Sequence, residues 1–181
     1  IVNHSGARLL FIGDFAVKTI DSEAMPALEA IINLPDFSLY ISRSEKITYA
    51  REHLNMMFGS KFPKAFRAEH IHYHKDTTEE LALINYTSGT TGFSKGVMLP
   101  YRALWGNVEF IIRVLGRNVK AGDNMLSILP MAHMYGMAVE FLFGFCNGCH
   151  LFFLTRLPSP AIIAEAFATV KPACIITVPL I

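Results

Sequence analysis

Residues 86–104 read YTSGTTGFSKGVMLPYRAL, and the eleven positions ending at Gly96 hold five serines and threonines, three glycines and one lysine. Glycines allow successive backbone N–H groups to turn toward one centre, and hydroxyl groups add short donors to that centre. Lys95 supplies a mobile positive charge that suits phosphate oxygens. The composition of this stretch therefore predicts a loop that binds a polyphosphate.

The spacing of the loop differs from that of two common phosphate-binding loops. A Walker A loop places glycine directly before its lysine and serine or threonine directly after it, whereas Ser94 and Gly96 flank Lys95. The dinucleotide fingerprint G-x-G-x-x-G is also absent. A surface loop whose glycines only permit turns is the alternative. The lysine, the apolar run before the loop and the helical pattern after it favour a binding site.

The sequence on either side of the loop alternates between strand and helix patterns. Short apolar runs predict a fully buried strand at residues 81–87 and further strands at 124–129, 150–154 and 173–178. Helical patterns occupy residues 104–115, 134–145 and 159–171. This order predicts an α/β fold, with helices flanking a mostly parallel sheet. Ligands bind at the carboxyl ends of strands in such sheets, and the glycine-rich loop begins at one such end.

The first 80 residues carry a weaker pattern. We expect strands at residues 7–14 and 37–42, a short helix at 25–34, a helix at 46–59 and a connection at 60–80. We therefore divide the chain into two segments. Residues 1–80 form an α/β segment with a connecting loop, and residues 81–181 form a parallel βαβ segment that carries the phosphate loop.

Composition and charge indicate which partners and which cellular setting to expect. The net charge is +1 with scattered lysines and arginines, which predicts no nucleic-acid partner. Polar residues interrupt the apolar stretch 135–154, so it predicts a buried helix and strand, not a transmembrane segment; peripheral contact with a membrane stays open. Three cysteines predict a reducing, cytoplasmic setting. The first residue is not methionine and the last five are mostly apolar, so we expect a segment of a longer protein.

Residues 86–104 resemble the signature of the adenylate-forming (AMP-binding) superfamily, which includes acyl-CoA synthetases, luciferases and peptide-synthetase adenylation domains. Ser94 stands where that signature usually has proline. Residues 129–136, LPMAHMYG, resemble the second family motif, which borders the carboxylate pocket. The resemblance covers the whole chain and is strongest to the long-chain fatty acyl-CoA synthetases. It implies part of the N-terminal domain, without the C-terminal domain.

The resemblance implies a two-step ligase. A carboxylate attacks the α-phosphate of ATP to give an acyl-adenylate and pyrophosphate, and coenzyme A then displaces AMP. Mg²⁺ is implied as the companion of ATP. Lys95 and Thr91 are the implied catalytic residues, and His133, Tyr135 and Gly136 border the acyl and nucleotide pockets. The implied phosphate-binding residues are Thr87, Ser88, Gly89, Thr90, Thr91, Gly92 and Lys95.

The resemblance favours a fatty acid as the substrate. An amino-acid activator usually places an acidic residue in its pocket motif, and none stands between Pro130 and Val139. A ligase for a short-chain, aryl or amino acid is one alternative, and a non-catalytic ATP-binding module is another. Glu140 is either a pocket group or a partner of His133. Because the later family motifs lie beyond Ile181, we expect this segment to be inactive by itself.

Overall fold

The computed structural model describes residues 1–88 and 93–178. The chain divides into two compact units, Ile1–Lys75 and Asp76–Ile181. Each unit has its own sheet and its own cluster of buried apolar side chains.

The first unit is built on a three-stranded sheet in the order β1-β2-β3. β1 and β2 are parallel, and β3 pairs antiparallel with β2. Ile12, Leu28 and Ile31 form its core. Its strands are β1 (Leu9–Ile12), β2 (Ala30–Asn33) and β3 (Leu39–Ser42). Its helices are α1 (Val2–Ser5), α2 (Asp14–Val17), α3 (Glu45–Glu52) and α4 (Leu54–Lys61), followed by a 3₁₀ turn at Ala68–His70.

The helix expected at residues 25–34 is wrong. Turns occupy the first part of this stretch, and β2 occupies Ala30–Asn33. β2 is the central strand of the sheet, and Ala30 and Ile31 are almost completely buried between its neighbours. Burial on both faces of a central strand therefore outweighs the helical spacing of the apolar residues. The strands expected at residues 7–14 and 37–42 are confirmed. The helix expected at residues 46–59 is helical but consists of two helices, α3 and α4, separated at His53.

The second unit contains a parallel sheet and an antiparallel hairpin. The sheet has the strand order β7-β6-β8, and its strands are parallel, as the alternating pattern predicts. Its strands are β6 (Asn124–Ser127), β7 (His150–Phe153) and β8 (Cys174–Ile175), and the hairpin consists of β4 (Leu81–Ser88) and β5 (Ser94–Pro100). Its helices are α5 (Tyr101–Leu115), a π-helix at Gly136–Leu142, α6 (Phe143–Cys146) and α7 (Pro160–Val170).

The hairpin corrects one part of the predicted topology. β4 does not join the parallel sheet; it pairs antiparallel with β5, a strand that the sequence analysis did not anticipate. β4 is also only partly buried, not fully buried. In a two-stranded ribbon each strand has a paired neighbour on one side only, which explains why β4 keeps polar residues among its apolar ones.

Two helix ends in this unit show common capping features. The Ser159 hydroxyl accepts a hydrogen bond from the Ile162 amide at 3.3 Å, with Pro160 at the first helical position of α7. Gly116 follows α5, and its amide donates to the Ile112 carbonyl at 2.8 Å. The core contains Ile111, Val119, Met125, Phe143 and Ile176. Across residues 1–88 and 93–178, no helix has both the length and the apolar character needed to cross a bilayer.

Candidate functional site

The predicted phosphate loop connects β4 to β5, so its base is the end of the hairpin where Ser88 and Ser94 lie. Ser88 pairs with Ser94 and Thr87 pairs with Lys95, so both ends of the loop are held by one ladder. Directly opposed residues share a face of the ribbon, and alternate residues along a strand share it as well. The side chains of Asn85, Thr87 and Lys95 therefore lie on the same face.

Gly96 allows the ring of Tyr86 to lie across the opposite face of the hairpin. A Cβ atom at Gly96 would lie 3.1 Å from the Tyr86 ring and 3.1 Å from the Ile84 side chain. Those distances are shorter than ordinary van der Waals contact, so even alanine would displace one of these side chains. The glycine after Lys95 thus serves the packing of the ribbon.

Four of the predicted phosphate-binding residues lie outside the described residues: Gly89, Thr90, Thr91 and Gly92. Their roles stay predictions. The other three, Thr87, Ser88 and Lys95, have exposed side chains at the end of the hairpin.

Asn85 connects the hairpin to the predicted pocket motif, residues 129–136. Its side-chain amide donates a hydrogen bond to the Ala132 carbonyl at 3.1 Å, across 47 positions of sequence. Since Asn85 shares its face with Thr87 and Lys95, that face is the one directed toward the motif. The two motifs recognised in the sequence are therefore neighbours in the second unit.

The pocket motif begins directly beyond the carboxyl end of β6. The Pro130 carbonyl accepts a hydrogen bond from the His133 amide at 3.0 Å, which turns the chain into the π-helix. His133 and Tyr135 have exposed side chains, while Gly136 is buried. A Cβ atom at Gly136 would lie 2.7 Å from the Pro130 carbonyl oxygen. Only glycine permits this approach between the start of the π-helix and the turn.

Glu140 belongs to the π-helix that follows the motif and is 1% exposed. Its carboxylate accepts hydrogen bonds from the Ser127 hydroxyl at 2.6 Å, the Ile128 amide at 3.2 Å and the Leu129 amide at 3.1 Å. The sequence left open whether this residue is a pocket group or a partner of His133. The structure gives it a third role, as an acceptor for the end of β6.

Two grooves adjoin these elements. One of about 370 Å³ lies at the carboxyl ends of β6 and β7 and is lined by residues 127–131 and 153–158. Such ends are where ligands bind in parallel sheets. A larger apolar groove of about 610 Å³ lies along α5, where Trp105 and Leu142 contribute to its wall. Tyr101, Arg102 and Leu104 of the first motif line the larger groove, but no residue of the pocket motif does. The smaller groove includes Leu129, Pro130 and Met131 of the pocket motif and is therefore the better candidate for substrate.

Two of the three cysteines, Cys149 and Cys174, are partly buried. Cys149 donates a weak hydrogen bond to the Lys120 carbonyl, with sulfur and oxygen 3.7 Å apart, and Gly148 forms the turn before it with φ 75°. Burial, with smaller contributions from Cys149 and Glu140, raises the pKa of the Cys174 thiol. A higher pKa lowers the thiolate fraction and hence the reactivity.

Comparison with known proteins defines the class. A profile of the AMP-binding enzyme family matches residues 1–181, so the chain belongs to that family. Long chain acyl-CoA synthetase 3 of Arabidopsis thaliana is 23% identical over 189 residues, which cover 99% of this chain and 27% of that protein. The 4-chlorobenzoate–CoA ligase of Arthrobacter sp is 39% identical over 64 residues, which cover 35% of this chain and 12% of that protein.

A solved structure supports the fold. The crystal structure of ATP-bound MatB from Rhodopseudomonas palustris aligns with a TM-score of 0.64 and 21% identity, over 93% of this chain and 29% of that chain. This likeness confirms the predicted α/β fold. The chain spans less than a third of the length of the curated relatives it matches.

Sequence reasoning missed two residues that organise the site, Asn85 and Ser127. Asn85 is a polar residue inside an otherwise apolar run, and a polar side chain in a half-buried strand usually has a partner. That signal indicates a hydrogen bond but not its target. Ser127 gives no comparable signal, because serine is common at the end of a strand.

Proposed function

We propose that the complete protein carrying this chain activates a long-chain fatty acid. The carboxylate oxygen attacks the α-phosphorus of ATP, and the bond to pyrophosphate breaks to leave an acyl-adenylate. The thiol of coenzyme A then attacks the acyl carbonyl, and AMP leaves. The hydrogen bond from Asn85 to Ala132 gives this proposal its main support, since it connects the phosphate hairpin to the pocket motif.

In this proposal, the hairpin end binds the β- and γ-phosphates of ATP. Thr87, Ser88, Gly89, Thr90, Thr91, Gly92 and Lys95 are the residues involved. The exposed hydroxyl of Thr87 and the ammonium group of Lys95 face the same side, so both can approach one phosphate. Positioning and charge stabilisation account for most catalysis of this kind. Mg²⁺ would enter with ATP as part of the substrate and would offset some of the negative charge of the phosphates.

The acyl group in this proposal lies beside His133 and Tyr135, with Gly136 closing the turn behind them. The exposed side chains of His133 and Tyr135 suit contact with a ligand, while the buried glycine fixes the backbone. A fatty acid is favoured by the absence of an acidic residue between Pro130 and Val139 and by the similarity to a long chain acyl-CoA synthetase over 99% of this chain.

An aryl acid is the second candidate substrate. The similarity to a 4-chlorobenzoate–CoA ligase favours it, at 39% identity over 64 residues. Both candidates use the same adenylation step, so they differ only in the groups that line the acyl pocket.

The test is carboxylate-dependent exchange of labelled pyrophosphate into ATP by the complete protein, with palmitate, benzoate, acetate and a panel of amino acids. We expect exchange with palmitate. We expect Lys95→Ala to lower the rate by about 100-fold, the usual scale for loss of one preorganised charge-stabilising group.

Lys120→Ala is the matched control, because Lys120 is an exposed lysine of the same unit at the opposite, amino end of β6. It should exchange at the wild-type rate. Exchange with benzoate and not palmitate would replace the fatty acid by an aryl acid. Tight ATP binding without exchange for any carboxylate would contradict the ligase and leave the non-catalytic ATP-binding module.

A further inference from the structure

The backbone amides at the end of β6 need an acceptor that the sheet does not provide. β6 pairs with β7 along Asn124–Ser127, and with β8 only at Met125 and Leu126. The residues after Ser127, Ile128 and Leu129, lie past the last paired residue of β6, and Ile128 is only 7% exposed. A buried amide without an acceptor is costly, so this position requires one.

The Glu140 carboxylate supplies that acceptor. It receives both amides and the Ser127 hydroxyl, three donors from three consecutive residues. Glu140 and Ser127 are also the two buried polar or charged side chains found among the described residues. Leucine or methionine would fill the same space but would leave the amides unsatisfied. The three hydrogen bonds therefore indicate a specific task for the carboxylate.

The carboxylate holds the start of the pocket motif, because Leu129 donates a hydrogen bond to Glu140 and is the first residue of the motif. The motif then has three attachments: Glu140 at its start, Asn85 at Ala132, and the close packing of Gly136 against Pro130. His133 lies between the attached segments. The direction of its side chain is therefore set by backbone that the Glu140 carboxylate holds in place.

We propose that Glu140 is a positioning residue for the pocket motif, fixing the backbone of residues 127–129 so that His133 and Tyr135 meet the acyl substrate. This inference rests on the proposed function for its substrate. It also makes a structural claim that is independent of activity.

Two measurements on the complete protein test it, each with Glu140→Gln. A glutamine keeps the size of the side chain but turns an NH₂ group toward at least one of the three donors. Amide hydrogen exchange in the peptide 128–136 should become about tenfold faster, since at least one buried hydrogen bond is lost. The KM for the fatty acid should rise about tenfold with kcat little changed, which is the signature of a lost ground-state contact.

Ile111→Val is the control for general loss of stability. Ile111 is a buried residue in the core of the second unit, and it is not one of the three residues that donate hydrogen bonds to Glu140. It should leave both readouts at wild-type values. Ser127→Ala removes one donor and keeps the two backbone bonds, so we expect about a threefold change in each readout. If Glu140→Gln does not fold, this milder variant carries the test.

Unchanged amide exchange in residues 128–136 of Glu140→Gln, or equal acceleration in Ile111→Val, would overturn the positioning role. Faster amide exchange with an unchanged KM would overturn the link to the substrate. If the wild-type protein exchanges no pyrophosphate into ATP with any carboxylate, the proposed function is contradicted. The amide hydrogen exchange would still decide whether Glu140 holds the motif.

Discussion

At the scale of single residues, the site depends on polar side chains that satisfy distant backbone groups. Asn85 reaches the Ala132 carbonyl from the phosphate hairpin, and Glu140 reaches the Ile128 and Leu129 amides from the π-helix. Neither residue belongs to the motifs by which the family is recognised. Asn85 connects the hairpin to the pocket motif, and Glu140 bonds to the backbone where the pocket motif begins.

Replacing Asn85 should separate the two halves of the site. Asn85→Leu keeps the size of the side chain and removes the hydrogen bond to Ala132. We expect kcat/KM for the acid to fall about tenfold, because a shift of the motif relative to the phosphates disturbs the geometry that the reaction requires. ATP binding, measured by calorimetry, should stay within about twofold of wild type, since Thr87 and Lys95 are unchanged.

Asn107→Leu is the control, because its side chain bonds only to the Ala103 carbonyl one turn earlier in α5. It should leave kcat/KM unchanged. A fall in ATP affinity equal to the fall in kcat/KM for Asn85→Leu would show that the hairpin itself is disturbed, and would contradict a coupling role.

At the scale of elements, one carboxylate contributes three hydrogen bonds to the turn between β2 and β3. Asp36 accepts hydrogen bonds from the Ser38 hydroxyl at 2.7 Å, the Ser38 amide at 2.9 Å and the Asn33 side chain at 3.2 Å. The Ser38 hydroxyl is the largest cause that holds the pKa of Asp36 below its usual range, with the Ser38 amide next and smaller contributions from Asn33 and Arg51.

This turn should lose stability in acid. A carboxyl group whose pKa is lower in the folded than in the unfolded state stabilises the fold above its unfolded pKa, and the contribution disappears as the pH falls through the folded value. Asp36→Asn should therefore have a lower thermal midpoint than wild type at pH 7, and the gap should close below about pH 4, near the ordinary pKa of aspartate.

The measurement is thermal unfolding of both proteins between pH 7 and pH 2.5. Asp14→Asn, in the first turn of α2, controls for the loss of one negative charge from the same unit. A gap between wild type and Asp36→Asn that stays constant down to pH 2.5 would contradict the assigned role of the carboxylate.

The hairpin and β2 also show where sequence patterns reach their limit at this scale. The parallel strands β6 and β7 were predicted because each is a short apolar run between helices. β5 was missed because residues 94–100 mix lysine, glycine and proline, and only pairing with β4 makes them a strand. β2 was assigned as a helix because burial on both faces hides the strand period.

At the scale of the whole molecule, we expect proteases to cleave the chain first near the end of its first unit. Residues 63–69 and 71–79 are exposed and contain no regular element longer than the 3₁₀ turn. Exposed backbone without ladder hydrogen bonds is the preferred substrate of proteases. Limited trypsin digestion should therefore cut first at Lys64, Arg67 or Lys75, as read by mass spectrometry.

Arg113 and Lys120 provide internal comparison sites, because both lie in the second unit close to its core residues. First cuts there would contradict the division of the chain. The division predicted from sequence, residues 1–80 and 81–181, rests on the same change from a weak to a strong alternating pattern and is tested by this digest.

Sequence alone reached the family and the class of fold, because two short motifs carry most of that information. The sequence did not predict which side chains hold the two motifs in place. The hydrogen bonds of Asn85 and Glu140 join residues 47 and 11–13 positions apart, and no local pattern encodes such pairs. The residues that hold the motifs in place become visible only when the backbone is known.

Trp105, on the α5 helix that follows the hairpin, is the single tryptophan of the chain, and its indole donates to Glu109 at 3.1 Å. Tryptophan fluorescence therefore reports on the second unit, while the first unit contributes only tyrosine and phenylalanine emission. The second unit can therefore be followed without any label, whereas tyrosine emission comes from both units. Excitation at the red edge of the absorption band would select the half that carries both motifs.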